Sequence, residues 1–389
     1  MTHSINFSEV ARTARFRGVC RNLIGDLFDR QRLQTPLMLL SRSEIGHNYE
    51  SLRRALPRAE VHYAVKSNNH QAILDEIHAR GGDFDVCSAA EIDSALRAGA
   101  DVRTLVHTHP IKSLQEFDYA VARGVEIFVV DNPEEIRKFA RYTDRKLKVL
   151  IRFRVDTPNR AVVNLQYKFG CAVEEVLPLA RLIAESGHEF YGLCFHIGSQ
   201  CIYAENYVRA IEAAGDLIRA LSLENLPVKM LDIGGGFPVP YVEPVPEIEE
   251  LCAPINRALE RFIRSDIKVI CEPGRFISAT PVTLVCSVIG KARRDGKIWY
   301  YLDDGLYSTF SGIVFDHCNY PIVTDRSGKG QVSVLAGPTC DSFDVLYDGI
   351  MIPEHNIGDT IVFPLTGAYC AVSGSDFNSL KRPDYVIVD

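Results

Sequence analysis

Several polar residues in this chain follow apolar runs, at the points where buried strands would end. Lys66 closes His62-Tyr63-Ala64-Val65-Lys66. A lysine there can form a Schiff base with an aldehyde if its surroundings lower its pKa, although in isolation it reads more often as a lysine reaching solvent. Leu231-Asp232-Ile233-Gly234-Gly235-Gly236-Phe237-Pro238 sets three glycines after another run, where bare backbone N–H groups can cradle a phosphate. The segment lacks the G-x-G-x-x-G and G-K-[ST] patterns, so it speaks for a phosphate and not for a nucleotide. Glu272-Pro273-Gly274-Arg275 adds a carboxylate and a guanidinium whose fork suits a phosphate. In Phe195-His196-Ile197-Gly198-Ser199-Gln200, the His196 ring can stack on a cofactor or hydrogen-bond within a core, and Ser199 can donate to a phosphate or make a turn. Gly337-Pro338-Thr339-Cys340-Asp341-Ser342-Phe343-Asp344 puts a thiol beside a carboxylate, though a free cysteine is more often a small buried hydrophobe. Asp316 in Phe315-Asp316-His317 and Tyr369 in Gly367-Ala368-Tyr369 carry no legible chemistry alone.

The elements that must position these residues follow from periodicity. From about 60 to 275, short runs rich in Val, Ile and Phe alternate with longer charge-bearing segments of helical spacing, the pattern of parallel βα units. Strands are expected at 61–66, 84–87, 104–108, 126–131, 148–155, 190–197, 230–234 and 268–272. Eight of them predict a closed (β/α)8 barrel over 36–275, whose C-terminal rim builds active sites. Lys66, Asp85, Arg152, His196, the glycine run, Glu272 and Arg275 all fall at that rim. Past Arg275 the runs 282–291, 298–303, 331–336 and 360–364 are β-rich and predict a C-terminal β domain over 276–389. A short strand at 36–41 is expected to join that β domain, and 1–35 is expected to form an N-terminal helical segment. No long regulatory tail is expected after the last strand.

Composition narrows the function. At 389 residues and 47% hydrophobic content the chain can bury the cores of two domains. A net charge of −7 with interspersed acids and bases leaves no basic stripe for nucleic acid. Eleven scattered cysteines, without a CxxC pair, suit a reducing compartment and argue against disulfides or a metal site. No run approaches 18 apolar residues, so no membrane partner is expected and a cytoplasmic location is.

Taken in chain order, Tyr63-Ala64-Val65-Lys66, Phe84-Asp85-Val86-Cys87-Ser88 with Glu91, His196-Ile197-Gly198-Ser199, Asp232 to Pro238, Glu272-Pro273-Gly274-Arg275, Gly337 to Asp341 and Gly367-Ala368-Tyr369 resemble one family. It is the fold-type III pyridoxal-phosphate (PLP) decarboxylases, which act on ornithine, lysine or diaminopimelate, and within it the ornithine decarboxylases are the nearest likeness. The likeness covers nearly the whole chain. It implies an α/β protein with an alanine-racemase-like (β/α)8 barrel and a C-terminal β-sandwich or β-barrel domain.

By that resemblance Lys66 would hold PLP as a Schiff base, with Asp85 and Arg152 near it and Arg154 a rival for the arginine's place. His196 would stack on the ring, while Gly234, Gly235, Gly236, Ser199, Arg275 and Tyr369 would hold the phosphate. Glu272 would face the pyridine nitrogen and keep it protonated, which strengthens the ring as an electron sink. Cys340, contributed by the partner subunit of a homodimer with shared active sites, would reprotonate the α-carbon. Asp316 and Asp341 would receive the distal ammonium of the substrate, since a desolvated ammonium needs a paired carboxylate. Tyr307, Phe315 and Phe377 would complete the substrate pocket.

The implied reaction is decarboxylation of a basic amino acid, first of all L-ornithine to putrescine and carbon dioxide. Asp341 stands where diaminopimelate decarboxylases usually carry Glu, which disfavours that substrate. One extra methylene is worth only about 1–3 kcal/mol in a typical pocket, so dual lysine and ornithine specificity, or a modified diamino acid, stays open. Phe315 replaces the tyrosine that precedes the Asp-His pair in eukaryotic ornithine decarboxylases, which loosens strict ornithine preference. A racemase would need a base on the opposite face, and the Cys340-Asp341 pair fits a decarboxylase better. A non-catalytic homologue that binds a regulator is the distant alternative, and Lys66, Cys340 and the glycine run speak against it.

Overall fold

A computed structural model describes residues 34–155 and 167–389, so all but the last two residues of the expected N-terminal segment lie outside the described residues. The chain divides into two compact units. One comprises Ile45–Val239 and Val245–Ile277; the other joins Pro240–Pro244 and Ser278–Asp389 to the described residues before Ile45.

After β1 (Leu37–Leu40), the first unit is a closed parallel barrel. Its strands are β2 (Ala59–Ala64), β3 (Asp83–Val86), β4 (Val106–His107), β5 (Ile127–Val130), β6 (Lys148–Arg152), β7 (Glu189–Cys194), β8 (Met230–Asp232) and β9 (Lys268–Cys271), in chain order. Every residue of β5, Ile-Phe-Val-Val, is buried, as expected of a parallel strand with side chains inside and helices outside. The barrel interior is the cluster Val106, Ile127, Val129, Leu150, Cys194, Met230 and Ile270. In β7 a Cβ on Gly192 would collide with the Met230 carbonyl, so glycine lets β7 and β8 approach.

The strands stop sooner than their apolar runs, and three of the helices that follow are capped by side chains. Ser88, Ser113 and Asn132 accept from the backbone N–H of Glu91, Glu116 and Glu135 at 3.3, 3.1 and 3.0 Å, which starts the helices Ala89–Arg97, Leu114–Arg123 and Pro133–Phe139. Lys66 lies not in β2 but in the short 3-10 turn Val65–Ser67, and His196 lies beyond the end of β7. Lys66, His196, the glycine run and Glu272 sit past the strand ends on the rim, while Asp85 and Arg152 belong to the last residues of β3 and β6.

The second unit is one seven-stranded mixed sheet of order β13-β12-β11-β10-β1-β15, with β14 paired to β10. Here β10 is Val282–Arg294, β11 Lys297–Leu302, β12 Gln331–Ala336, β13 Val345–Ile352, β14 Thr360–Phe363 and β15 Asp384–Ile387. The long β10 links the two halves: it pairs with β1 and β14 over its first part and with β11 from Val288 onward, across an irregularity between Val288 and Gly290. Strand β1 lies antiparallel to β10 and parallel to β15, and Leu37, Leu39, Val285 and Val362 form a buried cluster there. Two strands escape sequence patterning. An Asp-Gly pair interrupts β13, with Gly349 at φ 79°, and β15 is only partly buried.

Candidate active site

On the barrel rim, Lys66 Nζ pairs with Asp85 at 2.5 Å, and the carboxylate is fully buried while the lysine side chain is 36% exposed. Thr108, just past β4, donates its hydroxyl to the same carboxylate. Cys87 Sγ lies 3.9 Å from Lys66 Nζ, and burial pushes its thiol up to about 12, so it is a neutral neighbour. Glu91 accepts from the Cys87 N–H at 2.6 Å, and burial pushes its carboxyl up to about 7.

His196 Nδ1 accepts from the Gly198 N–H at 3.0 Å, which leaves the ring proton on Nε2. Burial, together with the charges of Arg152 and Lys66, holds its pKa well below the ordinary value, so the ring is a neutral, flat surface. That influence also separates the two arginines. Arg152 ends β6 with its guanidinium 5.3 Å from the Phe169 ring centroid, whereas Arg154 is exposed and reaches toward the Gly170 carbonyl at 3.5 Å.

The glycine run is shaped by close approach. A Cβ on Gly234, Gly235 or Gly236 would run into the carbonyl oxygens of Phe195, Glu272 and Gly198 respectively, and Gly234 and Gly236 have φ of 68° and 103°. Tyr207 supports the run from below, donating to the Gly235 carbonyl at 2.8 Å. Beside it, Arg275 Nη2 and Nε lie 3.2 and 3.4 Å from Ser199 Oγ, which concentrates anion-binding donors.

Glu272 is buried with Asp232 and Cys194, each offering a donor atom within 4.8 Å of the others. Asp232 Oδ1 accepts from the Gly234 N–H at 2.8 Å, but Asp232 Oδ2 and Glu272 Oε1 have no hydrogen-bond partner. Burial raises both carboxyls, and the facing Asp232 and Asp85 charges raise Glu272 further.

In the β unit, the Tyr307 hydroxyl donates to the Asp341 carboxylate, and its ring stacks on Phe377 at 4.5 Å. The exposed Cys340 has its N–H held by Asn378 Oδ1 at 3.0 Å. Four of the sequence candidates, Tyr307, Cys340, Asp341 and Phe377, are thus brought together. Asp316 and Phe315 lie at the end of the short helix Ser311–Phe315, with Phe315 65% exposed. Tyr369 occupies a left-handed position at φ 55°.

This arrangement can be compared with known proteins. Residues 42–279 match the family described as "Pyridoxal-dependent decarboxylase, pyridoxal binding domain". The chain belongs to the pyridoxal-dependent decarboxylases. It is 38% identical over 360 residues to the lysine/ornithine decarboxylase of Selenomonas ruminantium, spanning 92% of this chain and 91% of that one. It is 31% identical to the ornithine decarboxylase of Mus musculus, over 86% of this chain and 76% of that one. The crystal structure of lysine/ornithine decarboxylase complexed with putrescine from Vibrio vulnificus superposes with a TM-score of 0.88 at 38% identity, covering 94% of this chain and 97% of that one.

The protein is a PLP-dependent amino-acid decarboxylase, and its rim fits the cofactor. A PLP enzyme needs a reachable amine, phosphate donors and a group for the ring nitrogen. Lys66, the glycine run with Ser199 and Arg275, and the orphaned oxygen of Glu272 could supply them in turn.

Sequence reasoning missed several residues of this pair of loop clusters. Thr108 and Tyr207 carry no local motif, and only the folded barrel brings them to Asp85 and Gly235. Asp344 accepts from Leu306 N, Thr339 N and Thr339 Oγ1 at 2.7, 3.2 and 2.7 Å, tying the Tyr307 loop to the Cys340 loop. A usable signal was present: Gly305 and Gly337 both stand where a Cβ would collide with that carboxylate.

Proposed function

We propose that this enzyme decarboxylates L-ornithine to putrescine and carbon dioxide, in the cytoplasm, as a homodimer with shared active sites. The observation that carries the substrate class is Asp341. The Tyr307 hydroxyl and the Phe343 N–H hold its carboxyl below the usual range, so beside Cys340 it is an ionised counter-charge for a substrate's distal ammonium.

Bound PLP supplies the aldehyde that takes the substrate amine and the ring that accepts the electrons left as carbon dioxide departs. Lys66 is the amine that secures the cofactor, with Asp85 fixing its Nζ at the rim and Arg152 completing the charge around it. His196 presents a neutral face to the ring without adding positive charge. Glu272 keeps the proton at the pyridine nitrogen. Gly234, Gly235, Gly236, Ser199, Arg275 and Tyr369 receive the phosphate. Cys340 of a second subunit returns a proton to the α-carbon, and Asp341 and Asp316, lined by Tyr307, Phe315 and Phe377, bind the distal ammonium. The cytoplasmic setting agrees with described cysteines that form no disulfide; no helix among the described residues is long and apolar enough to cross a membrane.

A second reading, dual action on lysine and ornithine, is favoured by Phe315, which brings no hydroxyl to fix the length of the distal pocket, and by the dual name of the Selenomonas relative. The test is carbon dioxide release by the PLP-loaded enzyme from L-ornithine, L-lysine, L-arginine and meso-diaminopimelate. A lead of tenfold or more for ornithine, about 1.4 kcal/mol, supports the first reading, and near-equal efficiencies with lysine support the second. A lead for arginine or diaminopimelate, or no turnover at all, overturns both.

A further inference from the structure

We infer that Gln200 is a positioning residue that stitches together the two loops offering donors to the cofactor phosphate. The inference rests on the reading that these loops hold that phosphate.

The Gln200 side-chain amide makes a two-way pairing with the main chain of Val239. Its Oε1 accepts from the Val239 N–H at 2.8 Å, and its Nε2 donates to the Val239 carbonyl at 3.0 Å. One residue on, the Cys201 N–H donates to the Gly236 carbonyl at 2.9 Å. Three hydrogen bonds thus run between the loop that carries Ser199 and the loop that carries the glycine run, in the manner of a strand pair, although neither segment is a strand. Gln200 achieves this at φ 56°, a left-handed conformation that costs a residue with a side chain more than it costs glycine. The amide pairing is a compensation that glycine could not provide.

The fit between the loops is close on the other side as well. Gly236 passes Gly198 so tightly that a Cβ would meet the Gly198 carbonyl, and Ser199 Oγ is shared with the Arg275 guanidinium. A small slip of one loop against the other would misalign the N–H groups, the hydroxyl and the guanidinium together, and charge-assisted bonds to an anion weaken with such misplacement. Gln200 acts through those donors.

The test compares PLP with pyridoxal, which lacks the phosphate, on the full-length protein stripped of its cofactor. Dissociation constants are measured by fluorescence titration for the wild type, Gln200→Gly and Gln200→Met. Gln200→Gly relieves the left-handed backbone, and Gln200→Met keeps side-chain length; both remove the two bonds. Both variants are expected to bind PLP about tenfold more weakly, the loss of two hydrogen bonds, with pyridoxal affinity changed less than about twofold. Unchanged PLP affinity, an equal loss for both ligands, or a loss in only one variant would overturn the inference. A wild type that does not prefer PLP to pyridoxal would show that the phosphate reading itself fails, a result visible before any variant is made.

Discussion

Lys66 and Asp85 form an ion pair of 2.5 Å in which the carboxylate is fully buried and the amine is not. With Thr108 donating to the same carboxylate, Asp85 cannot turn away, so the amine is held at the rim while remaining reachable. Lys66→Ala should abolish the visible absorbance of lysine-bound PLP and lower kcat by three orders of magnitude or more, roughly the contribution of a covalent step. Asp85→Asn should keep the absorbance and lower kcat by about ten- to a hundredfold. Retention of both absorbance and normal activity in Lys66→Ala would refute the assignment.

Crowding around the glycine run predicts an asymmetry between two glycine substitutions. Gly235→Ala sets a Cβ against the Glu272 carbonyl, and it should weaken PLP binding by about a hundredfold or more. Gly81→Ala meets no atom within 4 Å, though its φ is 83°. It should cost about 1–2 kcal/mol of stability from the left-handed backbone alone and leave PLP affinity unchanged. Equal effects on cofactor binding would contradict the cradle.

Glu91 links the site to pH. Burial pushes its carboxyl up to about 7 from the ordinary 4.5. The folded state therefore keeps a proton that the unfolded state has lost, so this group's contribution is greatest below 4.5 and declines as pH rises through the window to about 7. Glu91→Gln retains an oxygen for the Cys87 N–H and cannot ionise. The cofactor-free variant should show a flatter Tm between about pH 5 and 7 than the wild type; identical slopes in differential scanning calorimetry would exclude Glu91 as the source.

The proposal that active sites are shared across a homodimer predicts complementation. Lys66→Ala and Cys340→Ala should each be nearly inactive. An equal mixture that exchanges subunits makes half of the dimers heterodimers, each with one intact site, so activity should recover to about a quarter of wild type. No recovery after verified exchange would place both residues in one subunit's site.

For the distal pocket, Asp341→Asn should raise the KM for ornithine by about tenfold or more while PLP absorbance stays intact, because a lost charge-assisted hydrogen bond is worth about 1.5–3 kcal/mol. Tyr307→Phe should have a smaller effect in the same direction, since it removes only the donor that orients Asp341. Unchanged KM in steady-state assays of both would remove Asp341 from substrate binding.

Much of the barrel was legible because its information is local. Each of the eight runs overlaps the strand that forms and five contain it whole, while β2, β3 and β7 begin one or two residues earlier, and the Ser and Asn caps of three helices are visible one residue before them. Strand ends were less so: the apolar character of Val65 and Phe195 continues past the last ladder hydrogen bond, so Lys66 and His196 looked like strand residues when they are loop residues. Strand β13 hid behind its Asp-Gly pair and β15 behind its polar neighbours, since an irregular or edge strand needs no clean alternation.

By itself, the sequence determined the residue types, the order of the motifs and the alternating elements, all of which depend on neighbours a few positions apart. It could not choose between Arg152 and Arg154, which differ in which one ends its strand at the rim. Nor could it show that Thr108 reaches Asp85, that Asp344 ties the 305–307 and 337–340 segments together, or that Gln200 pairs with Val239. Those relationships join residues distant in sequence, and only tertiary structure, by closing the barrel and folding the sheet, brings their hydrogen-bonding atoms within reach.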